Sequence, residues 1–318
     1  MGDGSYVDPL VFATAVGSPD GVAAVEASHR ELWVFGTSSV EVWYYVDSDV
    51  FPFMRIQGAY AELGCAAPYS VAKLDNGLYW LGADARGFGI VYRNQGYSGV
   101  RISTHAIEYA IQGYGNIEDA VGYTYQQEGH AFYVLNFPTA NATWVYDVST
   151  GAWHERAGFI NGNFTRHRAN CQCTFDYTTV VGDYENGNIY AFDLDVYADN
   201  GATQKWLRSW RALPTGQNNL KRTAQHGLQL ECESGVGLIT GQGSDPEVML
   251  RWSDDGGHTW SNERWAKMGT VGEYGRRVYW RRLGMTLKLR DRVYELSGTD
   301  PVKIALTGVE LLVSPTNA

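Results

Sequence analysis

With 318 residues, 14% aromatic content and 37 glycines, the chain can bury a large core in one big domain or two medium ones, and it leans toward pleated strands joined by tight turns. A net charge of −10 argues against a protein that grips phosphate over most of its surface, because such binding needs Lys and Arg to neutralise the backbone. Four cysteines (Cys65, Cys171, Cys173, Cys232) are too few for a disulfide-dense scaffold and read as reduced thiols, the N-terminus lacks a basic stretch followed by an apolar one, and no run of about 18 apolar residues spans a membrane.

The predicted elements in chain order form a loose repeat of short aromatic strands after polar turns: ELWVFG at 31–36, GLYWLG at 77–82, HAFYVLN at 130–136 and NIYAFD at 188–193. Spacings near fifty residues suit propeller blades. Asp75-Asn76-Gly77 and Glu185-Asn186-Gly187 place Asn-Gly between apolar alternations and predict hairpins, since such residues tolerate the positive φ of a tight turn. One helix is expected: Ser103 or Thr104 can cap it, Ala106, Ile107, Ala110 and Ile111 share a face, and Gly113 stops it. In VYDVSTGAWHE, a strand at 145–148 turns over Ser149-Thr150-Gly151 and returns through Trp153, a pattern similar to a kelch-type blade hairpin. Pro, Gly and Asn cluster at 212–222 without apolar alternation, which places a domain boundary there. Beyond it HGLQLECES, EVMLRWS, RRVYWRRLGM, RVYELSG and KIALTGVELLV read as five strands. The expected fold is all-β: a propeller-like body of kelch and Asp-box-type blades over 1–214, then a smaller sandwich-like β domain over 215–318.

The sharpest motif is 253–260, which fits S-x-D-x-G-x-T-W, an Asp box, through Ser253, Asp255, Gly257, Thr259 and Trp260. In such a turn the Asp255 carboxylate accepts backbone N–H groups, Gly257 takes a conformation open mainly to glycine, and Trp260 packs beneath, so its role is structural. Asp boxes occur in sialidases, but Phe53-Met54-Arg55-Ile56-Gln57 departs from the F-R-I-P element those enzymes share. Asp183 with Glu185, or Asp193 with Asp195, could pose as the two carboxylates of glycoside hydrolysis, although both pairs fall in hairpin turns where carboxylates are routinely solvated. His167, Cys171 and Cys173 invite a zinc reading, but C-x-C lacks the usual reach and residues two apart on a strand share a face, which favours core cysteines. Asn141 and Asn163 head glycosylation sequons that carry no meaning without secretion. No catalytic residue, metal or cofactor is assigned, and the chain is read as non-enzymatic.

Charge is uneven. Between 264 and 292 stand nine basic residues (Arg264, Lys267, Arg276, Arg277, Arg281, Arg282, Lys288, Arg290, Arg292) against Glu273 and Asp291, a local net of +7 that leaves −17 elsewhere. That asymmetry suggests a face meeting an acidic neighbour or sister subunit, with Arg276, Arg277, Arg281 and Arg282 as the candidate interface; an ordinary solvated strand face is the alternative.

Longer strings carry a family resemblance. FGTSSVEVWY at 35–44, GCAAPYSVAKLDN at 64–76, RISTHAIEYAIQ at 101–112, YTYQQEGHAFYVLNFP at 123–138, VGDYENGNIYAFD at 181–193 and WRALPTGQNNLKR at 210–222 resemble the packaged-DNA stabilisation proteins of short-tailed bacteriophages, over nearly the whole chain. The resemblance implies a virion protein, made in the host cytoplasm, that builds a six-membered nozzle or hub ring below the portal and adaptor rings. A tail needle plugs such a ring, tailspikes or fibres attach around it, and DNA passes without sequence-specific binding; no membrane insertion and no catalytic residues are implied. Members usually carry a further N-terminal stretch supplying early blades, whereas GDGSYVDPLVF follows Met1 here, so a shorter member, a prophage remnant or a chain lacking its start is expected. The role makes physical sense, because an acidic body weakens phosphate contacts and cyclic closure makes modest interfaces durable. The competing readings are a carbohydrate-binding propeller, supported by 11 Trp and 21 Tyr that could stack on sugars, and a sialidase-like glycosidase.

Overall fold

The computed structural model describes residues 13–15, 17, 19–48, 51–84, 87–212, 222–286 and 292–316. The chain divides into two units, Met1–Phe192 and Asp193–Ala318.

In the first unit, antiparallel meanders follow one another along the chain. β1 (Val22–Ser28), β2 (Glu31–Gly36), β3 (Val40–Tyr45) and β4 (Phe53–Ala61) pair in sequence order. The second sheet holds β5 (Gly64–Cys65), β6 (Ala72–Leu74), β7 (Gly77–Asp84), β8 (Gly87–Gln95) and β9 (Ser98–Arg101), with β5 and β6 both on β7. α1 (His105–Gln112) follows, the Thr104 side chain accepting from the Ile107 amide and Gly113 capping the far end. A third meander joins β10 (Val121–Gln127), β11 (His130–Phe137), β12 (Ala142–Asp147) and β13 (Ala152–Glu155). The hairpin β14 (Ala157–Ile160) and β15 (Asn163–Arg166) then leads to the sheet of β16 (Ala169–Phe175), β17 (Thr178–Asp183) and β18 (Ile189–Ala191).

Strand parity explains how these sheets stack. β7 is buried from Gly77 through Gly82, so its alternate residues must serve two cores. Leu78 and Trp80 pack with Trp33, Phe35, Val40 and Val42 of the first sheet, while Tyr79 and Leu81 pack with Tyr133, Leu135 and Phe137 of the third and with Ile107 and Ile111 of α1. β11 repeats the device, turning Val134 toward a core that holds Ala169 and Val181 of the next sheet. A buried hydrogen bond crosses the same junction, from the Asn136 side-chain amide to the Ala169 carbonyl (2.8 Å), and within the third sheet the Thr143 hydroxyl donates to Asn136 Oδ1 (2.6 Å) and fixes that amide. Four-stranded meanders packed face to face in chain order are propeller blades.

The second unit is a sandwich. β19 (Trp206–Arg211), β20 (Thr223–Cys232), β21 (Glu247–Ser253), β22 (Arg264–Lys267), β23 (Val278–Arg281), β24 (Val293–Gly298) and β25 (Leu306–Pro315) form sheets of order β19-β24-β21-β22 and β23-β20-β25. Between them lie Leu228, Leu230, Val248, Leu250, Met268, Trp280, Leu283 and Leu296.

The structure revises four expectations. The units divide between Phe192 and Asp193 rather than at 214/215, because β19 hydrogen-bonds along β24 and belongs to the sandwich. The cluster at 212–222, whose residues 213–221 lie outside the described residues, stands between strands of the sandwich's two sheets. Asp75 and Asn76 both take positive φ (45° and 60°), as a two-residue turn with Asn-Gly demands; Glu185-Asn186-Gly187 also joins paired antiparallel strands, β17 and β18, but through a longer loop without positive φ, held by the Asp183 side chain. Cys171 and Cys173 are exposed rather than core: the register shifts between Ala169, which enters the core, and Cys171, so the parity that buries Ala169 does not carry on to the two thiols. The strand expected over RRVYWRRLGM ends at Arg281, where Arg282 turns to φ 58°.

Candidate functional site

The Asp box joins β21 to β22. Asp255 Oδ1 accepts from the Ser253 hydroxyl (2.6 Å) and from the amides of His258 (3.0 Å) and Thr259 (2.8 Å), and Oδ2 accepts from the Thr259 hydroxyl (2.6 Å). Ser253 Oγ in turn accepts from the Gly257 amide (2.8 Å). Gly256 and Gly257 both take positive φ (76° and 104°), which the local backbone requires of glycine. Trp260 is half-buried beneath the Arg251 guanidinium, 4.6 Å from its ring centroid.

The hydrogen bonds from Ser253 and Thr259 hold the Asp255 carboxyl well below the usual carboxylate range. A depressed folded pKa contributes stability that is fully present above the ordinary carboxylate value and is lost as pH falls toward the folded one. Asp255→Ala is therefore expected to lower the protection factors of the His258 and Thr259 amides at neutral pH, where the carboxylate of the parent protein is fully ionised. Unchanged protection of those two amides in the variant would contradict this.

The basic segment separates into two populations. Arg276 and Arg277 are exposed in the loop before β23, and Arg281 and Arg282 are exposed at its end. Arg276 reaches Glu273 (3.6 Å) in an open surface pair, and Arg281 lies 5.4 Å from the Tyr279 ring centroid. Arg264 donates instead to the carbonyls of Arg281 (2.9 Å) and Arg282 (3.1 Å) and covers the Trp252 ring, while Lys267 pairs with Asp245. Arg292 is not on the surface at all: it is 1% exposed and grips Asp254 with two parallel hydrogen bonds (2.6 and 2.7 Å). Lys288 and Arg290 lie outside the described residues.

The carboxylate pairs posed for hydrolysis are turn fittings. Asp183 Oδ1 accepts from the Glu185 amide (2.7 Å), and Arg168 bridges Asp183 (3.2 Å) and Glu185 (3.3 Å). Although burial raises the Asp183 pKa, the Glu185 amide and Arg168 outweigh it and hold the group low, the reverse of what a general acid needs. Asp193 likewise accepts from the Asp195 amide (2.8 Å). His167 accepts from the Ala169 amide (3.2 Å) and meets the Phe192 ring, and among the described residues no three His, Cys, Asp or Glu side chains converge on a metal position. Sequence reasoning missed the Asp254–Arg292 clamp, for the partners lie 38 residues apart and neither belongs to the box consensus.

A family model described as the beta-propeller of bacteriophage P22 Gp10 matches residues 1–197, and a second, described as the beta-sandwich of the same protein, matches residues 205–314. No curated protein matches the chain. Among solved structures, a fructofuranosidase from Schwanniomyces occidentalis complexed with fructose aligns over 89% of this chain and 79% of its own, with 7% identity and a TM-score of 0.24, a likeness too slight to bear on fold or activity.

Proposed function

Since the chain belongs to the bacteriophage P22 Gp10 family of phage DNA-stabilisation proteins, we propose that it is a subunit of the ring that closes the DNA exit at a phage tail. The family assigns a structural, non-enzymatic part in the tail and in DNA stabilisation. Our reading adds that six copies form the nozzle, that its upper side meets the head-tail adaptor or portal ring, and that a tail needle and tailspikes or fibres dock on it. The tandem match of propeller and sandwich in family order, spanning nearly the entire chain, is the observation that carries this reading.

Charge supports it. The first unit holds 20 acidic and 9 basic residues, a net of −11, which weakens contact with a passing polyanion. Arg276 and Arg277 ahead of β23 and Arg281 and Arg282 at its end, all exposed, supply a basic patch flanking that strand for the acidic surface of a second copy.

Mass measurement of the purified protein and copy number in virions test the ring: six copies are expected, and a protein that stays monomeric and is absent from virions would overturn it. The double charge reversal Arg281→Glu with Arg282→Glu is expected to abolish or weaken assembly while leaving melting unchanged, because both side chains are exposed. Normal assembly of that variant would remove the patch from the interface.

A further inference from the structure

The inner strands of the first unit's sheets meet around a depression of about 680 Å³, walled by the ends of β1, β6, β10 and β16. A second hollow of about 480 Å³ over the turns near Gly129 and Ser149 shares Asp75 and Gln126 with the first, so the two form one elongated groove. Depressions of this size take ligands of several rings.

Its charges are already spent. Lys73 pairs with Glu26 (2.6 Å) and Asp75 with Arg93 (3.2 Å), which leaves no free cation among these groups to attract phosphate. What the groove offers is neutral hydrogen bonding. The side chains of Gln126, Gln172 and Thr174 have no partner among the described residues, and the Gln172 carbonyl oxygen is buried without one. A carboxamide presents two donors beside an acceptor, the complement of neighbouring sugar hydroxyls, each of which donates and accepts.

An aromatic platform stands at the rim. Tyr177, with Asp176, forms the two-residue turn between β16 and β17, and both take positive φ (61° and 46°). Asn and Gly suit such positions and a bulky aromatic residue does not, yet Tyr177 holds the strained position fully exposed, where its ring packs on nothing. Exposed rings beside amides and hydroxyls stack on the apolar faces of pyranoses.

From this conjunction we propose that the groove binds a neutral oligosaccharide lying across the inner strands, with Gln126 and Gln172 as hydrogen-bonding groups and Tyr177 as the stacking platform. The site is independent of ring assembly and survives or fails separately from it. A lipid is disfavoured by the polar lining, and a nucleic acid by the paired charges.

Saturation-transfer NMR on the purified full chain tests the proposal, with maltohexaose, cellohexaose, chitohexaose and mannopentaose as probes and a single-stranded DNA oligonucleotide as the polyanion control. Signal transfer to at least one sugar is expected, with affinity falling about three- to tenfold in Gln126→Ala, the loss expected of one well-made hydrogen bond. Tyr177→Asn removes the ring while suiting the turn, so it should keep or raise the melting temperature and still lose sugar binding. No transfer to any of the four sugars, sugar binding untouched by both substitutions, or binding of the DNA in their place would each overturn the assignment.

Discussion

Arg292→Ala is expected to destabilise the C-terminal sandwich by about 3–5 kcal/mol, the cost of breaking a buried ion pair from one side. All five guanidinium N–H groups are engaged: Nε and Nη2 on Asp254, Nη1 on the Leu283 carbonyl (2.8 Å) and, at 3.5 Å, the Tyr294 hydroxyl, and Nη2 also on the Met285 carbonyl (3.2 Å). The group also lies over the Trp252 and Tyr294 rings at 5.5 and 5.8 Å. Truncation leaves a cavity, two carbonyls short of a donor and a carboxylate with little access to water. Asp254→Ala should be comparably harmful, because it strands a cation that is 1% exposed. The double variant should then lose markedly less than the sum of the two, since each single change already destroys the pair. Arg292→Lys is no remedy, for an ammonium cannot reproduce the fork. Urea unfolding followed by tryptophan fluorescence, with hydrogen exchange assigning the loss to the sandwich, measures all four variants; a loss for Arg292→Ala below about 1 kcal/mol, the scale of a solvent-exposed pair, would refute the clamp.

Trp80→Ala is expected to cost the propeller unit a similar amount, about 3–5 kcal/mol, through lost burial and a cavity. Trp80 is 1% exposed on β7, its ring edge-on to Phe35 at 5.3 Å and tilted against Tyr92 at 5.6 Å, where the first and second sheets meet. Close-packed interiors relax only partly around such a hole. Its indole nitrogen is buried without a partner, so Trp80→Phe removes an unsatisfied donor along with some volume and should lose far less. Protection in β2, β3, β7 and β8 should fall in the alanine variant while the sandwich keeps its own. Equal losses for alanine and phenylalanine would mean that the polar atom, rather than ring packing, governs the site.

Several elements were legible in the residues because their causes are local. ELWVFG is β2 from end to end, Thr104 and Gly113 bracket α1, Asp75-Asn76 makes its tight turn, and the Asp255 carboxylate sits among the amides that its consensus spacing brings to it. Each depends on positions within about eight residues, over which side-chain period, capping and turn preference already fix the backbone. The propeller-and-sandwich fold follows from repeating such units along the chain.

What tertiary structure alone decided involves partners far apart in sequence. A Pro- and Asn-rich stretch looks the same whether it separates two domains or two strands of one sandwich, and only the pairing of Trp206–Arg211 with Val293–Gly298 assigns it to the second. Arginines 276, 277, 281, 282 and 292 read alike as a basic run, yet burial against Asp254 makes the last a core clamp and leaves the others on the surface. The groove lined by Gln126 and Gln172 was likewise invisible, being assembled from strands 46 residues apart. Local sequence sets which residues form strands and turns, but the environment of each side chain, and with it the difference between scaffold and site, is set by which strands the folded chain brings together.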